Sequence, residues 1–214
     1  MQNHILYSFR RCPYAIRARM AISYSNVEVE LREISLKNRP KEMYEVSAKG
    51  TVPVLITKNK KIIDESLDIM IWAINKNKKQ NLLNNKNELE LISSNDFEFK
   101  QWLDKYKYHV RFPDRTKEFY RGKCCYHLNK YEKILSKNKY LFGNSIKITD
   151  LAIFPFVRQF ALSDIKWFNS NYNHLSDWLN EFIDSSLFNS VMHKFEVWDS
   201  NKKPFLINFN NYKS

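Results

Sequence analysis

Cysteine is scarce in this chain of 214 residues, and the little there is does not pair: Cys12 stands alone near the start, and Cys124 and Cys125 are neighbours. Three cysteines so placed cannot build a disulfide framework for a chain of this size, which fits a reducing compartment. Position 15 is Ala15, so Cys12 has no resolving cysteine three residues on and the dithiol C-x-x-C motif is excluded. Five histidines, at positions 4, 109, 127, 174 and 193, form neither HExxH nor a Cys/His spacing that seats zinc, so no metal is expected. No apolar run approaches the roughly 18 residues of a membrane span, and the N-terminal stretch lacks the basic-then-apolar pattern of a secretory signal. No membrane association is expected, and the expected location is cytoplasmic.

What is present is a large core and an excess of cations. Hydrophobic residues make up 43% of the chain and aromatics 15%, enough to fill one large domain or two small ones. The formal charge is +12, from 35 Lys plus Arg against 23 Asp plus Glu. That charge suits nucleic acid, an anionic membrane or anionic small molecules. The lysines are spread through Asn/Lys-rich stretches such as "NKNKKQNLLNNKN", which read as solvated surface without interleaved aromatics, so no nucleic-acid partner is expected.

Along the chain, "HILYSF" (4–9) reads as a short buried strand, and Pro13 opens a helix to about Tyr24, with proline in the turn that tolerates it best. "VEVELREI" (27–34) alternates as a strand, and "NRPKEMYEVSAKG" reads as a short helix ended near Gly50. "VPVLIT" and "KKIIDE" are two strands joined at Lys58 to Lys60, and a third helix from Ser66 is expected to bury Leu67, Met70, Ile71 and Ile74. This order is a compact α/β unit. From Glu88 the period becomes helical throughout. Phe97, Trp102 and Tyr106 form one stripe; Tyr120, Cys124, Leu128, Tyr131 and Leu135 form another, in which Cys124 reads as packing. The expected division is an α/β domain over 1–77, a linker over 78–87 and an all-helical domain over 88–214.

A lone cysteine is most often a small buried apolar residue. The order strand, Cys-Pro-Tyr, helix points elsewhere: it places Cys12 at the N-cap of the first helix, where free N–H groups and the positive end of the dipole favour an anion. Arg10 and Arg11 stand beside it, with Arg17 one turn on. A thiol with a pKa of about 8.5 is only about 3% ionised at pH 7, whereas one shifted to about 6 is roughly 90% ionised and attacks disulfides. Cys12 is therefore the candidate nucleophile.

Four segments, "RRCPYAIRARM", "LKNRP" (36–40), "GTVPVL" (50–55) and "DESLDIM" (64–70), with "GNSIKITDLAIFPF" (143–156) in the helical half, resemble in that order the cytosolic glutathione transferases. The likeness is strongest to the Omega class, and the first domain is also similar to the two-domain glutaredoxins of bacteria. The resemblance implies a thioredoxin-like α/β domain followed by an all-α domain. Pro53 matches the family's cis-proline, which turns the backbone so that the N–H and C=O of Val52 meet the cysteinyl unit of glutathione. Glu65 matches the carboxylate that takes the γ-glutamyl ammonium. Ser66 matches the hydroxyl and N–H that meet its carboxylate, and also reads as a helix N-cap. Arg39 replaces a family lysine that meets the glycyl carboxylate, a contact that a guanidinium makes bidentate. Lys147 stands where the family usually has the Ser or Thr of a capping box closed by the match to Asp150, at a cost of about 0.5 to 1 kcal/mol.

By the same resemblance, the implied activity is that of an Omega-like glutathione transferase. Cys12 forms a mixed disulfide with glutathione, as in a thioltransferase or dehydroascorbate reductase, with glutathione as co-substrate and a small electrophile or disulfide as its partner. A homodimer is implied. Reductive dehalogenation shares the same cysteine, and some relatives are non-catalytic regulatory or scaffold proteins that bind other proteins. Tyr106, Tyr108, Arg111, Arg158 and Trp167 are candidates for a second-substrate wall.

Overall fold

The structure, a computed structural model, describes residues 3–76 and 86–212. Most of the expected linker, 78–87, lies outside the described residues. By contact the chain divides into Met1–Gln80 with Asp184–Ser214, and Asn81–Ile183.

The first unit is built on a five-stranded sheet in the order β4-β3-β1-β2-β5. Strands β1 (Ile5–Ser8) and β2 (Val29–Glu33) run parallel, in a register that places Leu6 opposite Leu31. A parallel pair needs a crossover, and α1 (Pro13–Tyr24) supplies it. On the other side of β1 lie β3 (Val54–Ile56) and β4 (Ile62–Ile63), both antiparallel to their neighbours. Helix α2 (Lys41–Val46) precedes Gly50, which holds φ +60°, a conformation that favours glycine; a Cβ there would lie 2.6 Å from the Tyr44 ring and would have to displace it. Helix α3 (Ser66–Lys76) buries Ile69, Met70, Ala73 and Ile74. Leu67 and Ile71, expected to be inward, are only half-buried: the inner face is turned toward Ile69 and Ala73.

The fifth strand was not expected. Residues Leu206–Ile207 form β5, antiparallel to β2, so the helical character read from Glu88 onward stops short of the C-terminus. The segment from 184 belongs with the first unit through α10 (Ser186–Val191), the fully buried Phe209 and Asn210, which exchanges hydrogen bonds with Ser23. A two-residue strand carries too little alternation to be legible in sequence.

The second unit is helical: α4 (Lys86–Ser94), α5 (Lys100–Lys107), α6 (Lys117–Leu135), α7 (Ile148–Ala161), α8 (Ile165–Asn171) and α9 (Asn173–Asp184). The stripe Tyr120, Cys124, Leu128, Tyr131 and Leu135 is buried along α6 as expected. Burial pushes the Cys124 thiol pKa far up, as packing requires. The other stripe breaks. A π-helical stretch, Asn95–Phe99, joins α4 to α5; its wider turn rotates the following residues, so Phe97 is 69% exposed and Phe99 is buried in its place. Phe99, Tyr106, Phe160 and Phe168 then pack ring to ring.

Candidate active site

Cys12 is the N-cap of α1, with extended backbone (φ −77°, ψ 122°); its carbonyl accepts the helix's first bond from the Ile16 N–H at 2.9 Å. Its side chain caps nothing, and no acidic residue occupies the first turn. The half-buried thiol instead donates to the Val52 carbonyl at 3.6 Å, and the Val52–Pro53 peptide is cis. Two residues far apart in sequence thus meet at one end of the helix, each placed by its own element: the β1–α1 turn carries the sulfur, and the approach to β3 carries the carbonyl.

The neighbouring arginines have partners beyond Cys12. The backbone N–H of Arg10 donates to Glu33 Oε1 at 2.6 Å and its guanidinium to the Met192 carbonyl at 3.3 Å. Arg11 lies over the Phe9 ring. Arg17 is buried and turns to α3, donating from Nε and Nη2 to Ser66 Oγ at 3.0 and 2.8 Å. Arg19, wholly buried, binds Ser8 Oγ, the Val191 carbonyl and the Glu33 carboxylate. A buried guanidinium holds its charge only when its donors are met, and tertiary contacts settled which acceptors met them.

Ser66 is the first residue of α3 and not its cap, because the opening bond runs from the Ile69 N–H to the Glu65 carbonyl at 3.0 Å. Ser66 Oγ thus accepts twice from Arg17. The carboxylate of Glu65 is exposed and paired with Lys49 Nζ at 2.5 Å; Lys49 also reaches Asp64 at 3.3 Å, and Ser47 Oγ donates to Asp64. The Lys49 pKa lies above the ordinary value, chiefly through its hydrogen bond to Glu65. Arg39 is half-buried, and its Nε has no partner among the described residues. Contacts therefore join Cys12 to Val52, and Arg17 joins α1 to Ser66, while Arg39 stands apart from these bonds. Sequence reasoning missed Lys49, one lysine among many, and nothing in its neighbours marks it.

Of the five wall candidates in the second unit, Tyr106 is fully buried, Tyr108 is partly exposed beneath the Arg111 guanidinium, and Trp167 is half-buried beneath Arg121. Among the described residues no cluster of three or more His, Cys, Asp or Glu is placed to hold a metal, and no helix is long and apolar enough to cross a membrane.

Residues 6–80 match the model of the glutathione S-transferase N-terminal domain, and residues 123–185 that of the C-terminal domain. A stretch of 62 residues is 36% identical to human glutathione S-transferase omega-2, covering 29% of this chain and 26% of that protein, so the match spans about a quarter of that curated relative. Among solved structures, a glutathione transferase family member from Pseudomonas fluorescens with two glutathione bound is similar over 89% of this chain and 92% of its own, at 15% identity and TM-score 0.76. A glutathione transferase from Phanerochaete chrysosporium in complex with oxidised glutathione is similar over 89% and 94%, at 17% identity and TM-score 0.76. At these identities the likeness concerns the fold.

Proposed function

The chain belongs to the glutathione S-transferase family, and from that premise we propose that it is a glutathione-dependent thiol transferase whose nucleophile is Cys12. One observation carries the reading: the N-cap of α1 is a half-buried thiol that makes no cap bond and lies 3.6 Å from the carbonyl preceding Pro53, beside the backbone that would hold glutathione. Most helix starts use a side-chain oxygen to satisfy their free N–H groups; here a sulfur stands in that place, where partial positive charge favours its thiolate.

Glutathione would lie along the Val52 backbone as an added extended segment. Its γ-glutamyl carboxylate would accept from the Ser66 hydroxyl. Its ammonium would displace Lys49 from Glu65, an exchange of one cation for another that costs little because the existing pair is exposed. Arg39 supplies an unpartnered donor for the glycyl carboxylate.

The chemistry is thiol–disulfide exchange. The Cys12 thiolate attacks the glutathionyl sulfur of a mixed disulfide; an S–S bond to Cys12 forms, the original S–S bond breaks, and the substrate thiolate leaves to be protonated by water. A second glutathione thiolate then attacks that same glutathionyl sulfur, giving oxidised glutathione and returning Cys12 as thiolate. Without a cysteine at position 15, glutathione is the resolving thiol.

The test is turnover of a glutathione mixed disulfide by the protein and by Cys12→Ser. Loss of at least about a thousandfold is expected. A mass spectrum should show one glutathione unit on Cys12 that reductant removes. Unchanged turnover in the variant overturns the assignment; retention on immobilised glutathione with no turnover in either protein points to a binding or scaffold role.

A further inference from the structure

The first acidic residue of the chain is Glu28, so the strand, turn and helix around Cys12 hold four arginines and no carboxylate of their own. The four are not equivalent. Arg19 is neutralised by the Glu33 carboxylate, and Arg17 is buried on Ser66. Arg10 and Arg11 are the two corners of the turn Phe9–Cys12, closed by the Cys12 N–H on the Phe9 carbonyl at 3.0 Å. Neither guanidinium has a carboxylate partner among the described residues. That of Arg10 donates to the Met192 carbonyl, a neutral acceptor, and that of Arg11 makes no hydrogen bond among them.

Arg11 is the exposed one. Its guanidinium lies over the Phe9 ring, 5.4 Å from the centroid, and Phe9 packs with Cys12 against Tyr7, Val52 and Val54. An aromatic ring attracts a guanidinium without accepting its N–H groups in ordinary hydrogen bonds. A planar fork of five donors is therefore held at the surface on the residue next to the nucleophile, whose Cα is about 3.8 Å away along the chain.

The tripeptide has other partners, since its two carboxylates fall to Ser66 and Arg39 and its ammonium to Glu65. In the exchange step the glutathionyl sulfur stands between Cys12 and the leaving sulfur. The half of the disulfide that differs from one substrate to the next thus extends beyond the tripeptide's own contacts and meets what the turn exposes. A guanidinium fork is best met by a carboxylate, through two parallel hydrogen bonds. We infer, resting on the thiol-transfer reading, that Arg11 selects the second substrate: a polypeptide whose glutathionylated cysteine is flanked by Asp or Glu. The bond changes are those of the exchange already described, with the peptide thiolate as the leaving group that takes a proton from water.

The probes are two synthetic peptides with one glutathionylated cysteine, flanked on both sides by Glu in one and by Lys in the other. The mixed disulfide of glutathione with 2-mercaptoethanol, whose leaving group is uncharged, is the reference, and each rate is corrected for reaction with glutathione alone. The readout is the ratio of kcat/KM between the two peptides within one protein, from which any influence of Arg11 on the ionisation of Cys12 cancels. A preference of about tenfold for the Glu peptide is expected at low salt, shrinking in 1 M salt, where screening acts beyond about 3 Å. Arg11→Gln should cut that ratio at least about fivefold, Arg11→Glu should invert it, and Arg11→Lys should keep part of it, because the charge stays and the fork is lost. Lys58→Gln, an equal change of net charge at an exposed position on the β3–β4 turn, should leave the ratio in place. A ratio unmoved by Arg11→Gln, or lowered equally by Lys58→Gln, overturns the inference, while turnover of the uncharged disulfide keeps the thiol-transfer reading standing. No turnover of any of the three overturns both.

Discussion

Two helices of this protein begin in opposite ways. Helix α7 opens on Lys147, whose side chain has no acceptor to offer; the end is closed by Asp150, which takes the Lys147 N–H at 2.8 Å, the Leu141 N–H at 2.9 Å and Trp178 Nε1 at 3.1 Å. The anion at that helix end is the protein's own and is wholly buried. Helix α1 has no acidic residue in its first turn, and its cap side chain makes no cap bond. A helix end closed by a buried anion serves folding; one whose cap side chain makes no cap bond and whose first turn holds no acid keeps more of its positive potential.

The largest expected contrast comes from Cys12→Ser. Beyond the loss of turnover, a serine at the N-cap supplies the missing oxygen, so urea unfolding should show stability held or raised by up to about 1 kcal/mol while chemistry disappears. Asp150→Ala should do the reverse. Three donors lose their acceptor in a buried setting, and denaturant unfolding should show a loss of about 3 kcal/mol.

The pH dependence sharpens the same contrast. Burial pushes the Asp150 pKa up to about 6 from the ordinary 3.8, against the pull of its hydrogen bonds. A carboxyl whose folded pKa is raised contributes stability that is fully present below pH 3.8 and is lost as pH rises through about 6. Compared with Asp150→Asn, which does not titrate, the parent protein should gain on the order of 2 kcal/mol between pH 7 and pH 4. A flat difference across that range would remove burial as the dominant influence on Asp150. The smallest effect is Lys147→Ser, which adds the second half of the capping box and should raise stability by about 0.5 to 1 kcal/mol with no change in turnover.

The start of α1 at Pro13, the alternation of β2 and the buried stripe of α6 were legible in the chain because each follows from local residue type and period, and the family resemblance because five short motifs keep their order along it. Phe97 was misplaced because a π-helical stretch interrupts the 3.6-residue period, and no residue type announces one. Ser66 was read as a cap because serine favours that position, yet the Glu65 carbonyl takes the opening bond. The arginines were read as neighbours of Cys12 by sequence distance alone. Two of the three beside it also bind acceptors brought in from elsewhere, Arg17 at Ser66 and Arg10 at Glu33 and Met192, while Arg19, not among them, binds Ser8, Glu33 and Val191.

By itself the sequence determined the element order, the cysteine at a strand-to-helix turn and the absence of a second one beside it, since propensity, period and motif are local properties of a chain. Tertiary structure alone decided that Val52 meets that sulfur, that Arg17 binds the Ser66 hydroxyl, and that residues 206–207 return to β2. Those outcomes depend on which distant groups share a buried space, where every donor must find an acceptor and every ring a neighbour, and that requirement is met only once the whole chain has folded.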